Sequence, residues 1–370
     1  MKSEEVGYSS FVQTEKGSEF YIYRNVGRGA NSNVYHALDK QSNKSVALKV
    51  INNNSVETPL LMQRFNREAD IMYDLEGANS VDLYEHGLLS NGDLYLSMEF
   101  VPGTTLEKEL NNSGNMDIDS GIKIVWQMLI FLAHSHKFGV VHRDIKPDNI
   151  FLDSLKRVRV GDFGLAVYEN DQPFVLTAPD PDLDIQSVET ATGTRVGTYV
   201  GTPNYSSPEQ GNGLKVDIRS DIYSLGCVWY KMLTGRVPFQ RESGIATLKA
   251  HTDPEILPQM LGQENGRPEF TINLITMLFH MIRKNPKDRY QTPLEVLRDL
   301  DQLQARKGFY HAESLSDLLI KSNFDDPTAL IPVPSTERSV EETVVNGRKV
   351  DQDFENSVVE IRSDETHTII

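Results

Sequence analysis

The amino-acid sequence predicts an α+β protein with two lobes, a small β-rich N-lobe with one helix and a larger α-helical C-lobe. Short strand-like runs separated by Gly, Asn and Asp fill residues 20–51 and return at 81–101. One helical pattern, at 58–76, lies between them, and after Pro102-Gly103 the apolar periodicity becomes mainly helical. A chain of 370 residues is long enough for both lobes and an extension.

The N-lobe, assigned to residues 20–101, is expected to form a mostly antiparallel sheet. Its apolar runs, for example 34–38 and 46–51, are short and end in turn-forming residues, and a turn signal at 90–93 separates the last two runs. The helix between them is predicted from an apolar side at helical spacing. This side consists of Leu61, Phe65, Ile71 and Leu75.

The C-lobe, assigned to residues 102–305, opens with apolar residues spaced by 4, 3, 4 and 3, as on one buried face of a helix. These residues are Ile118, Ile122, Val125, Leu129 and Leu132. Further helices are expected at 219–234, 270–283 and 293–304.

The segments on either side are set apart as an N-terminal extension, 1–19, and an acidic C-terminal tail, 306–370. From Gly308 onward the sequence has 13 acidic and 5 basic residues, a net charge of −8. Because it also lacks periodicity, we expect the tail to be largely disordered, with a short helix at 316–321 as an alternative for that part.

Composition argues against several classes of protein. A formal charge of −16 disfavours general affinity for nucleic acid. The sequence begins without an apolar leader and contains no run of 18 apolar residues, so we expect neither secretion nor membrane insertion. The single cysteine, Cys227, excludes an internal disulfide. We therefore expect a cytoplasmic protein, in its own cell or in a host cell. The sequence does not determine its oligomeric state.

Residues 142–149, His-Arg-Asp-Ile-Lys-Pro-Asp-Asn, carry the strongest chemical signal. Asp144 can accept a hydroxyl proton, and Lys146 and Asn149 stand at fixed offsets from it. A second acid, Asp162, opens an Asp-Phe-Gly run farther along the chain. Such a set can transfer the terminal phosphoryl group of a metal-bound nucleotide to an alcohol.

These runs resemble the catalytic loop and metal-binding turn of eukaryotic-type (Hanks-type) serine/threonine protein kinases, in the style of soluble bacterial members. The resemblance covers roughly residues 20–305 and implies a bilobal protein-kinase-like fold. It implies that Asp144 receives or orients the acceptor proton, that Lys146 neutralises charge on the transferring group, and that Asn149 and Asp162 bind the metal ion.

The resemblance also implies a nucleotide site in the N-lobe. Lys49 should contact phosphates and pair with Glu68, because the other acids near that helix, Glu57, Asp70 and Glu76, lie at its ends or on less suitable faces. A Gly-rich turn should cover the phosphates. The residues expected at the nucleotide are Val26, Gly27, Arg28, Gly29, Ala30, Asn31, Ser32, Asn33, Val34, Ala47, Lys49, Glu99 and Val101. The expected cofactors are ATP and Mg²⁺, with Mn²⁺ as an alternative ion.

Residues 201–209 resemble the end of a protein-kinase activation segment, with Ser207 in place of the usual Ala. Thr202 is expected to bond Asp144 and Lys146, and Glu209 to pair with a buried Arg289. The partners implied are therefore protein substrates that carry Ser or Thr.

The segment before it is long, since 48 residues run from Asp162 to Glu209. The excess, 169–192, has six acids and no Lys or Arg, so we expect a disordered loop. Arg143 offers a cation to a phosphorylated loop residue, and we expect autophosphorylation there. The candidate positions are Thr190, Thr192, Thr194 and Thr198. Proteins that recognise phosphothreonine in the loop or tail are further candidate partners.

Two other functions stay open: a pseudokinase that acts as a binding scaffold, and a dual-specificity kinase that also modifies Tyr. Loss of Lys49, Asp144, Asn149 or Asp162 would favour the scaffold, and all four are present. A small-molecule phosphotransferase is disfavoured, because such enzymes lack a docking segment like 201–209.

Overall fold

The computed structural model describes residues 9–29, 31–52, 59–171, 202–258 and 272–306. Several sequence-based expectations lie outside these residues and stay predictions. They concern Ala30, the loop after residue 171 with its four threonines, the helix at 316–321 and the acidic tail.

A six-stranded antiparallel sheet forms the N-lobe, with the strand order β1-β2-β3-β4-β6-β5. The strands are β1 (Ser10–Gln13), β2 (Glu19–Arg28), β3 (Ser32–Asp39), β4 (Lys44–Ile51), β5 (Leu83–Leu88) and β6 (Leu94–Glu99). In the register of the sheet, Lys49 lies opposite Val34 on one side and Leu96 on the other. The Gly-rich turn between β2 and β3 therefore lies beside the strand that carries Lys49.

The strand β1 belongs to the segment that sequence analysis set outside the two lobes. It pairs with β2, and just after it Thr14 forms a bridge to Leu89, beyond the far edge strand β5. The backbone N–H of Glu15 donates to the carbonyl of Leu88 at 3.0 Å, and that of Ser90 donates to Gln13 at 2.8 Å. Residues 10–15 thus join both ends of the sheet, which satisfies backbone groups that an open edge would leave unpaired.

One helix, α1 (Pro59–Asp74), packs on this sheet beside β5. Phe65, Glu68 and Met72 are spaced by three and four residues, so they share one face, and all three are buried. Glu68 is therefore an acid on the apolar face of its helix. That placement requires a charged partner inside the fold.

The C-lobe is mainly helical. Its helices are α2 (Leu106–Ser113), α3 (Ile118–Lys137), α4 (Pro208–Gly211), α5 (Ile218–Thr234), α6 (Gly244–Thr252), α7 (Ile272–Met281) and α8 (Pro293–Arg306). The helices expected from periodicity correspond to α3, α5, α7 and α8, and the predicted two-lobed α+β class is confirmed. In the described part of the chain, no helix has the length and apolar character needed to cross a membrane.

The central helix α5 is almost entirely buried and carries Asp221 into the interior. It comes very close to the end of α7, because a Cβ atom on Gly226 would lie 2.6 Å from Cγ2 of Ile282 and 2.9 Å from Cβ of Met281. Only glycine fits such an approach without displacing its neighbours. The position of Asp221 is therefore set by close helix packing.

Short strands hold the loops that carry the chemistry. They are β7 (Gly103–Thr105), β8 (Val140–Val141), β9 (Ile150–Asp153), β10 (Val158–Val160) and β11 (Val167–Tyr168). The loop with Asp144 runs from β8 to β9, and Asp162 lies two residues after the end of β10. Because β9 pairs with β10 and β8 with β11, the two predicted acids come from neighbouring turns.

Candidate active site

The catalytic loop gathers two predicted donors around one carboxylate. Asp144 is buried, with 8% of its surface exposed. The Lys146 ammonium group lies 2.6 Å from Oδ2 of Asp144. The Asn149 amide donates to the same oxygen at 3.1 Å and to the Asp144 backbone carbonyl at 2.9 Å. Two N–H donors, one of them a cation, therefore hold Oδ2 and orient the carboxylate.

The backbone just before Asp144 is strained, and a buried acid stabilises it. Arg143 has a φ angle of 67°, in the left-handed region that residues other than glycine rarely adopt. Asp221 accepts hydrogen bonds from the backbone N–H groups of His142 at 2.7 Å and Arg143 at 2.9 Å. Burial raises the pKa of Asp221 to about 7, and the two donors oppose that rise.

Lys49, on β4, lies close to two acids. Its ammonium group is 2.6 Å from Oε1 of Glu68 and 3.6 Å from Oδ1 of Asp162. Burial alone would lower the pKa of Lys49, but the charges of the two acids outweigh it and raise that pKa to about 12. Lys49 is therefore a cation at any ordinary pH, and Glu68 is its partner on α1.

The donors near Asp162 suit a divalent cation. The Asp162 side chain is 54% exposed, and Asn149, the other residue expected to bind the metal ion, carries an amide oxygen. Burial would raise the pKa of Asp162, but nearby charges, above all that of Lys49, and a hydrogen bond from the Gly164 backbone together outweigh it and keep that pKa below its ordinary value. Oxygen donors of this kind are those that Mg²⁺ prefers. Among the described residues there is no cluster of three or more His, Cys, Asp or Glu side chains that could hold a metal ion.

The Gly-rich turn is closed by its own backbone. Gly29 donates its N–H to the carbonyl of Ser32 at 2.8 Å. A Cβ atom on Gly29 would lie only 2.7 Å from Oγ of Ser32, so a side chain there would displace the serine. Ser32 is thus accommodated at this position because Gly29 has no side chain.

Glu99, at the end of β6, makes its side-chain contact within the protein. Its carboxylate pairs with Arg159 at 3.1 Å, and its backbone N–H donates to Asp82 at 2.8 Å. The Glu99 carboxylate and N–H group are therefore both engaged within the protein, and its expected contact with the nucleotide stays a prediction. Other described residues predicted for the nucleotide site are Val26, Gly27 and Arg28 on β2, Asn31 in the turn, Ser32, Asn33 and Val34 on β3, Ala47 on β4, and Val101 after β6.

The docking segment is tied to the C-lobe by a buried ion pair. Both oxygens of Glu209 accept from the guanidinium of Arg289, each at 2.7 Å, and Ser220 donates to Glu209 at 2.5 Å. Thr202 begins the turn at 203–205, where its carbonyl accepts from the Tyr205 N–H at 3.1 Å. The bonds expected from its hydroxyl to the catalytic loop stay predictions.

Sequence reasoning missed two polar residues at the site. Arg159 neutralises Glu99, and Gln210 donates to the backbone carbonyl of Arg143 at 2.7 Å. Gln210 is 67 residues from its partner, so no local spacing links them. A helix-capping signal at Ser207, with Gln three residues later, was the available clue.

Comparison with known proteins agrees with this geometry. A family model described as the protein kinase domain matches residues 20–299. Serine/threonine-protein kinase PknB of Mycobacterium leprae is 34% identical over 278 residues, which are 74% of this chain and 41% of that protein. PknB of Mycolicibacterium smegmatis is 32% identical over 317 residues, 85% of this chain and 46% of that protein.

A probable serine/threonine-protein kinase of Clostridium acetobutylicum is 33% identical over 294 residues, 79% of this chain and 41% of that protein. The matched part of this chain thus spans less than half the length of these curated relatives. The family match includes both lobes and the loops that carry Asp144 and Asp162. The resemblance inferred from the motifs is confirmed, and the chain belongs to the protein kinase domain family.

Proposed function

We propose that this protein is an ATP-dependent serine/threonine protein kinase, which transfers the γ-phosphoryl group of Mg-ATP to Ser and Thr hydroxyls of protein substrates. The observation that carries the proposal is the convergence of Lys146 and Asn149 on one oxygen of Asp144. A carboxylate held in this way can receive a hydroxyl proton, and the adjacent ammonium group can stabilise negative charge on the transferred group.

The remaining residues have complementary tasks. Lys49, kept cationic by its two acids, is suited to hold the phosphates that are not transferred. Asp162 and Asn149 would hold Mg²⁺, which when bound supplies positive charge opposite the phosphates. Mn²⁺ accepts the same oxygen donors and is the alternative ion.

The scaffold alternative is less well supported. A pseudokinase typically lacks one of the charged groups needed for transfer or holds it away from the others. Here Lys49 pairs with Glu68, and Lys146 and Asn149 both contact Asp144. The relatives are named as serine/threonine-protein kinases, and Lys146 follows Asp144 by two residues; both observations favour Ser and Thr as acceptors.

We further propose activation by autophosphorylation in the loop before the docking segment. Arg143 is half-buried, and its Nε atom makes no hydrogen bond to the described residues. Burial and the nearby charge of Arg67, on α1, lower the pKa of Arg143 to about 10. Two guanidinium groups that repel one another would both be stabilised by a phosphate between the lobes.

Incubation with labelled ATP and Mg²⁺, followed by mass spectrometry, tests both proposals. We expect phosphate on Ser and Thr of a generic protein substrate and on one or more of the loop threonines. Additional phosphotyrosine would support the dual-specificity alternative. A folded protein that binds ATP but transfers no phosphate would contradict the kinase proposal, and an active enzyme whose loop stays unmodified would contradict autophosphorylation.

Replacing Glu68 with Gln should lower kcat/KM for ATP by roughly 10- to 100-fold. A hydrogen bond to a charged group is worth about 1.5–3 kcal/mol, and about 1.4 kcal/mol corresponds to a factor of ten. Asp70→Asn is the matched control, since Asp70 is an exposed acid on the same helix. Steady-state kinetics with ATP as the varied substrate measure the effect. Equal losses in both variants would argue against the role of the Lys49–Glu68 pair.

A further inference from the structure

The side chain of Gln210 connects the docking segment to the catalytic loop. Its Oε1 atom accepts from the backbone N–H and from the hydroxyl of Ser207, each at 3.0 Å. Its Nε2 atom donates to the backbone carbonyl of Arg143 at 2.7 Å. The first contact completes the cap of the short helix α4, and the second leaves that helix altogether.

The carbonyl that Gln210 contacts belongs to the strained residue Arg143. Asp221 holds the N–H of that residue at 2.9 Å, and Gln210 holds its C=O at 2.7 Å. Both ends of a residue with φ of 67° are therefore fixed by side chains from two different helices. A left-handed conformation of this kind costs about 1–3 kcal/mol and persists only where its surroundings impose it.

The peptide unit between Arg143 and Asp144 also sets the orientation of the Asp144 backbone. The Arg143 carbonyl and the Asp144 N–H share one plane, and that N–H donates to Nδ1 of His142 at 3.3 Å. Rotation of this plane would displace the N–H of Asp144 and, with it, the carboxylate that Lys146 and Asn149 orient. Gln210 can thus influence Asp144 without touching it.

We propose that Gln210 is a positioning residue for Asp144. It fixes the orientation of the Arg143–Asp144 peptide and so couples the position of the catalytic loop to that of the docking segment. The expected effect on kcat rests on the proposed kinase function. The effect on the peptide itself can be measured without catalysis. The other explanation is that Gln210 only caps α4.

Three variants separate these explanations. Gln210→Met removes both contacts. Gln210→Glu keeps the oxygen that accepts from Ser207. It replaces the Nε2 donor with a second carboxylate oxygen, which repels the Arg143 carbonyl. Ser207→Ala removes the hydroxyl from the cap and leaves the Gln210–Arg143 bond in place. Thermal unfolding of each variant identifies any loss that comes from misfolding.

For Gln210→Met we expect kcat to fall about 3- to 10-fold with KM for ATP within about twofold, since one net hydrogen bond is worth about 0.5–1.5 kcal/mol. Gln210→Glu should lose at least as much, and Ser207→Ala should retain most of kcat. In hydrogen-exchange mass spectrometry, peptides that span 140–149 should exchange faster in both Gln210 variants than in Ser207→Ala.

The exchange readout keeps the inference testable if the wild type transfers no phosphate. Unchanged exchange of the catalytic loop in Gln210→Glu and Gln210→Met would overturn the inference, whatever the activity. So would equal losses of kcat in Ser207→Ala and the Gln210 variants, because capping alone would then explain the effect. An active wild type combined with unaffected Gln210 variants would leave the kinase proposal standing and remove only the positioning role.

Discussion

Replacing Asp144 with Ala is expected to lower the rate of phosphoryl transfer at least about 10²-fold, the lower end of what a positioned acid–base group contributes. The variant removes the group that can take the hydroxyl proton. It also leaves the Lys146 ammonium group without the carboxylate that lies 2.6 Å away. Single-turnover transfer of labelled phosphate measures the loss. ATP binding should change little, because Lys49 and the Gly-rich turn are untouched.

The matched control is Asp301→Ala, which removes an exposed acid from α8. Its transfer rate should equal that of the wild type. If Asp144→Ala retained more than a tenth of wild-type turnover, another group would have to accept the proton. Loss of ATP binding in Asp144→Ala would instead indicate a disturbed fold.

Replacing Arg289 with Met should lower the free energy of unfolding by about 3–5 kcal/mol, since breaking a buried pair leaves one charge without its partner. The Arg289 side chain is 0% exposed and that of Glu209 is 6% exposed. Arg289 also donates to three backbone carbonyls, at Arg219, Arg283 and Lys284, so several acceptors lose their donor together. Urea denaturation at neutral pH measures the change.

This effect should depend on pH in a defined direction. Burial alone would raise the pKa of Glu209, but the hydrogen bonds and charge of Arg289 outweigh it and hold that pKa below its ordinary value. The pair therefore stabilises the wild type above the unfolded pKa of about 4.3, and this contribution is lost as the pH falls through the lower folded pKa. In Arg289→Met, protonation of Glu209 relieves the penalty, so the difference between the proteins should narrow at acidic pH.

Lys156→Ala is the control for the buried pair. Lys156 pairs with Glu109 at 2.5 Å, but 54% and 31% of the two side chains are exposed. Solvent-exposed pairs contribute at most about 1 kcal/mol, so this variant should be close to the wild type. A destabilisation in Arg289→Met no larger than in Lys156→Ala would show that the Glu209–Arg289 pair is not what anchors the docking segment.

Much of the catalytic loop was predictable because its contacts are local. Lys146 and Asn149 contact Asp144 from two and five residues away in the chain, so the motif alone predicts that these side chains lie close together. Glu68 was identifiable because it shares a helix face with Phe65. In both cases a short spacing in the chain becomes a short distance in space.

The long helices were also predictable, since periodicity is strong over 17 residues in α5 and 20 in α3. Elements such as α4 and β8, with four and two residues, are too short to show a period. Their positions depend on what packs around them, and this is why the fold class and the helices of the C-lobe could be inferred but the small strands could not.

Other features have no local signal and exist only in the folded chain. Thr14 bridges to Leu89, and Gln210 reaches Arg143 across 67 residues. Residue types and spacing identified the class of chemistry and most of the candidate groups for it. Which backbone is strained, and which side chains hold it in place, was decided by contacts between distant segments, because a hydrogen bond depends on distance in space and leaves no period in the chain.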